Sequence, residues 1–282
     1  MRETETMTKV FPNITCFVLL IAAGFNLFAQ SNTRGVVNPE RQDTLFAAPA
    51  ERHKILLVPF YSKMCMSQID RDVNKATDLD YDQITEAFRK GLDLALYSRF
   101  HLDFTTMSLL QGRYKSDSVL NYIYGSTGYD YALVPGTKAD EPGESSSAGK
   151  NHYVVKGQLE VPVDYSQRFM DIVVKNHDLL PFLYKKYHAD TYIFINELDI
   201  KNVPNPSGDL DNAYIRQATV HYSILNKDGV SVSRGIETVY FPYSINVPSE
   251  IRDKYFTSIA RSLLDAYLKS MTRKEKKADK EE

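Results

Sequence analysis

The sequence predicts an α/β fold: a mixed sheet with helices packed on it, in a single main domain interrupted by an inserted loop region. Three observations carry this. "KILLVPF" (54–60) is an unbroken apolar run of strand length, the pattern of a central strand covered on both faces. Two long segments, 82–100 and 249–271, repeat apolar residues at helical spacing. Between them lie several β-rich segments separated by turn-forming residues.

The chain opens with a leader. "CFVLLIAAGFNLFAQ" (16–30) is an apolar run ending in small and polar residues, the form of a secretory signal cleaved near Ala29–Ser31. It is too short and too interrupted for a membrane span. The first six residues are acidic for a leader. A start at Met7 would put Lys9 in the expected basic position. Cys16 precedes the apolar run, where a lipidated cysteine would follow it. Residues 31–52 mix Pro, Gly, Asn and charge without period and read as a linker. Cleavage leaves Cys65 as the single thiol, so the domain is expected to be held by its core, with no internal disulfide.

The domain is expected over 53–271. After the first strand comes a loop, Tyr61 to Asp80, and then a helix. Ile84, Ala87, Phe88, Gly91, Leu92, Ala95 and Leu96 share one face of that helix, and Asp82 is its expected N-cap. "HLDFTTM" (101–107) reads as a strand and "SDSVLNYIYGS" (116–126) as a short helix. Residues 137–151 form a flexible polar insert. "HYVVKGQLEVPV" (152–163) and "QRFMDIVVKN" (167–176) are extended segments. "DLLPFLYKKYHAD" (178–190) is a helix, with Pro181 tolerated in its first turn. "TYIFINELDI" (191–200) is a strand, and 202–212 a turn-rich loop. Two more strands follow at 215–226 and 235–245, with a turn at Lys227–Gly229. The last helix is expected to be capped by Ser249 and to bury the stripe Ile251, Tyr255, Ile259, Leu263, Tyr267 and Met271 on the sheet, with Phe256, Ala260 and Leu264 beside it. Residues 272–282 are charged and apolar-free, a disordered solvated tail.

Composition narrows the function. The formal net charge of −2 gives no basic footprint for nucleic acid. "MCM" (64–66) offers three soft sulfurs, but neighbours in an extended chain point to opposite sides and do not converge on one ion. Met64 and Met66 are expected to pack under the loop, with Cys65 a small hydrophobe. No motif links Cys65 to an activating histidine. "DLDYD" (78–82) opens like a calcium loop, but Gln83 stands where that loop needs glycine and Arg89 where it needs glutamate. "GSTG" (125–128) lacks the lysine of a phosphate loop, and "GESSSAG" (143–149) lacks the spacing of a nucleophile elbow. No cofactor or metal site is expected.

Three stretches resemble one family. "KILLVPF" looks like its first strand, "LYKKYHADTYIFINEL" (183–198) like its later helix and strand, and "VHYSILNKDGVSVSRG" (220–235) like its strand–turn–strand. The family is the TolB N-terminal, LpoB and CsgG-like group of bacterial envelope proteins. The resemblance covers roughly half of the processed chain. The lipid-attachment motif of many members is missing, and 108–163 has no counterpart. What it implies is a non-enzymatic protein-interaction or assembly module in the periplasm, or peripherally associated with the outer membrane, with other envelope proteins as partners. Tyr61, Lys63, Met64, Met66, Tyr240 and Tyr243 are the candidate contact residues. Two alternatives remain open. One is a periplasmic small-ligand binder, with its pocket above Pro59–Met64. The other is a hydrolase using Cys65 or a serine with a distant histidine.

Overall fold

A computed structural model describes residues 52–133, 153–155, 158–160, 168–205 and 213–278. The leader, the linker up to Glu51 and the polar insert 137–151 lie outside the described residues.

The first apolar run forms β1 (Lys54–Val58), with Ile55 to Val58 all buried. Parallel neighbours flank it, β3 (Thr105–Ser108) on one side and β8 (Thr191–Pro204) on the other. Strands β9 (Tyr214–Asn226) and β10 (Ser231–Pro242) then add antiparallel, giving the order β10-β9-β8-β1-β3. The sheet is mixed, as expected. The turn into β10 is set locally: the Asn226 side-chain oxygen accepts from the Asp228 and Val230 amides, and Gly229 takes a φ of 80°.

Helices cover both faces. α2 (Tyr81–Phe100) and the C-terminal helix α6 (Thr257–Ala278) pack on one face around Ile193, Leu198, Val220 and Phe241. Phe88 of α2 meets Phe256 edge to face, with ring centroids 6.3 Å apart. A fully buried phenylalanine or leucine of this kind contributes roughly 1.5–3 kcal/mol. α3 (Asp117–Ser126) and α4 (Leu179–Tyr187) supply the second core, against Leu56, Val58, Tyr192 and Phe194. β4 (Thr127–Leu133) and β7 (Arg168–Val174) pair into an antiparallel ribbon, and β5 (Tyr153–Val155) pairs with β6 (Gln158–Glu160).

Several local expectations are corrected. The stretch 61–80 is not an open loop. A 3-10 turn at Ser62–Met64 leads into β2 (Cys65–Ser67), which pairs parallel with β8 beyond the end of β1, and then into α1 (Asp70–Thr77). The long β8 leaves edge positions open past Val58, and β2 fills them. The cap of α2 is Asp80, not Asp82: its carboxylate accepts from Gln83 N at 2.8 Å and the Gln83 side chain answers on Asp80 N, a reciprocal capping box. The strand in 101–107 begins only at Thr105. β8 runs to Pro204, into the segment read as a loop. Val247, not Ser249, precedes the first turn of α5 (Pro248–Ile251), with Pro248 at its first position. A π turn, Arg252–Phe256, joins α5 to α6. The helical backbone of α6 continues to Ala278, so 272–278 is helical where sequence predicted disorder.

Candidate functional site

The candidate residues lie toward the carboxyl end of the parallel strands, in separate places. Tyr61 stacks at a tilt on Tyr124, centroids 4.9 Å apart, and Lys63 Nζ lies 5.8 Å from the Tyr61 ring. Met64 is half-buried in the 3-10 turn. Met66 is 57% exposed, which overturns the expectation that it packs under the loop. Cys65 is buried in the core, as expected, and Met66 points the opposite way, as the alternation of a strand requires.

The ladder places Met66 level with Asp199, Thr219 and Thr238, and Tyr240 is the next residue along that face of β10. Met66 and Tyr240 therefore share one face of the sheet. Between them Gln217 Nε2 donates to Thr219 Oγ1, and the Thr219 and Thr238 hydroxyls lie 3.2 Å apart. Tyr243 follows the end of β10 and lies over Arg216, whose guanidinium carbon is 4.7 Å from its ring centroid. Arg216 is fully buried; it donates to Ile245 O at 2.7 Å and to Asp72 Oδ2 at 3.0 Å. Tyr214, Tyr240, Pro242 and Tyr243 surround a cavity of about 390 Å³.

Two polar constellations were missed from sequence. The first is at the carboxyl ends of β1 and β3. The chain leaves β1 toward the face covered by α2, and leaves β3 toward the face covered by α3, so the two connections diverge. Such a divergence is where open α/β sheets place ligands. Here Arg89 Nε donates to Phe60 O at 2.8 Å and its terminal nitrogen to Tyr124 OH at 3.0 Å; Tyr124 OH donates in turn to Pro59 O. One turn along α2, Asp93 accepts from Ser108 Oγ at 2.6 Å. Burial pushes its carboxyl up to about 6, against the pull of Ser108, Gln111 and Arg89. The missed signal was Thr85, Arg89 and Asp93 at four-residue spacing, a polar stripe beside the apolar one.

The second holds the β4–β7 ribbon onto the sheet. Met170 N donates to His221 Nδ1 at 2.8 Å, and Asn196 Nδ2 donates to Met170 O and to Ser223 Oγ, both at 2.7 Å. Ser223 Oγ also meets Asp171, which Arg234 holds at 2.7 Å. Burial, and then the charge of Lys201, lower His221 to about 4. No sequence motif marks this set, because its members come from four strands.

Burial, followed by the charges of Asp70 and Asp199, raises the Cys65 thiol to about 12. That is opposite to what a nucleophile or thiolate ligand requires. Among the described residues no group of three or more His, Cys, Asp or Glu side chains is placed to hold a metal ion, and no helix is long and apolar enough to cross a membrane. No protein-family model matches the chain, and no curated protein matches it.

Proposed function

We propose that the chain is an exported envelope protein acting as a non-enzymatic partner-binding module, with β10 and its tyrosine-rich end as the contact surface. One observation carries the reading. β10 is a twelve-residue edge strand, and among the described residues no strand pairs with its outer side. An open edge of that length is a template for an added strand from another chain. At its end the exposed Tyr214, Tyr240 and Tyr243 surround the 390 Å³ cavity, which offers a side-chain pocket beside the backbone ladder. Export rests on the apolar leader 16–30. The elevated thiol of Cys65 weighs against the cysteine-hydrolase alternative.

The test is a photo-crosslinking residue placed at Tyr243 in living cells. The reading expects one dominant adduct with an envelope protein, abolished by Tyr240→Asp. Tyr240 is 56% exposed, so that change leaves folding intact. A chain that stays uncrosslinked, or an adduct indifferent to Tyr240→Asp, refutes this surface.

A further inference from the structure

A cleft separates α2 from the start of the C-terminal helix, and the binding surface above makes no use of it. Its volume is about 420 Å³, within the range of small-molecule sites. The stripe Ala87, Gly91 and Leu94 of α2 forms one wall, Leu110 closes it beyond the end of β3, and Pro248 faces them. At Gly91 a side chain would begin 3.4 Å from Arg252 Cβ, at contact distance, so the two helices meet at the base of the cleft. Lys90 and Arg252 are the charged residues of the lining, and both are cations. Each has an acidic neighbour outside the lining: Glu86 at 3.3 Å from Lys90 Nζ, and Asp253 at 2.6 Å from Arg252 Nε.

Two independent features point to a ligand here. The cleft reaches the connection that leaves β3 through Leu110 and Gln111, and Gln111 also supports the buried Asp93. Arg252 also opens the π turn, and single π turns within α-helices concentrate at functional sites because they re-aim side chains at some cost in regularity. An apolar wall beside two cations, each with N–H donors beyond the one its acidic neighbour takes, complements one ligand chemistry. We propose that this cleft binds a small amphipathic anion, a carboxylate with a short aliphatic tail. The tail lies on Ala87, Leu94, Leu110 and Pro248, and the carboxylate sits between Lys90 and Arg252 in charge-assisted hydrogen bonds.

Titration calorimetry of the full chain with octanoate tests this, with octan-1-ol and inorganic phosphate as probes of each half of the ligand. Saturable one-site binding of octanoate is expected, with octanol and phosphate each weaker by about tenfold or more. The double variant Lys90→Gln/Arg252→Gln removes both cations from exposed or half-exposed positions, and it should weaken octanoate by a similar factor. Ala87→Phe, which crowds the apolar wall, should weaken it without touching either charge. Octanoate binding unchanged in both variants, no binding at all, or octanol or phosphate binding as tightly as octanoate each overturns the proposal. Tyr240→Asp leaves this cleft intact, so retained octanoate binding in that variant separates this site from the partner surface.

Discussion

Acid should loosen the ribbon from the sheet through one residue, His221. Its Nδ1 accepts the Met170 amide at 2.8 Å, which only an unprotonated nitrogen can do. Its folded value, about 4, lies below the ordinary 6.5. The unfolded chain therefore binds the proton first. The stabilising contribution is fully present above pH 6.5 and is lost as pH falls through about 4. At about 1.4 kcal/mol per pH unit, the gap is worth on the order of 3 kcal/mol. Lys201 adds to the penalty for a charged imidazole, while Asp171, across Ser223, is neutralised by Arg234 and offers little relief. The assay is urea unfolding between pH 7 and 4, followed by far-ultraviolet circular dichroism because the chain has no tryptophan. His221→Gln keeps an acceptor for Met170 but does not titrate. Wild type minus variant should fall by about 3 kcal/mol over that range. A difference that stays flat would show that His221 is not held neutral by this contact.

Two further predictions follow from buried groups. Asp93 is raised, so its contribution has the opposite sign: it is present below pH 3.8 and lost as pH rises through about 6. Asp93→Asn should stabilise the protein at pH 7 by about 1–3 kcal/mol and remove that pH dependence, and a variant less stable at pH 7 would contradict the reading. The Cys65 thiol, 6% exposed and raised to about 12, should resist a thiol-specific disulfide reagent in the native protein and react at once in denaturant; rapid native reaction would disprove its burial.

The elements that sequence located well are those whose burial pattern is local. α2 and α6 were legible because Ile84, Phe88 and Leu92, or Ile259, Leu263 and Tyr267, repeat at the helical period. β1 was legible because a strand covered on both faces needs an unbroken apolar run. β2 was not, since three residues carry no period; only the open flank of β8 past Val58 makes them a strand. The cap of α2 was displaced by two residues because Asp80 and Asp82 are equivalent by type. The partner at Gln83 selects Asp80. Nothing in the sequence links Tyr240 to Met66, and sheet register puts them on one face.

Sequence by itself determined the α/β class and the order of the main elements, because both follow from the spacing of apolar residues along a few turns or strands, and it pointed to a buried Cys65 only through residue type. Tertiary structure alone decided the strand order β10-β9-β8-β1-β3, the divergence of the chain beyond β1 and β3, and the hydrogen bonds that join Arg89 to Tyr124 and His221 to Met170. The physical reason is separation. Tyr124 lies thirty-five residues from Arg89, and His221 fifty-one from Met170. What a polar side chain can do there is set by which distant backbone folding delivers within about 3 Å of it, and by how much water that approach excludes.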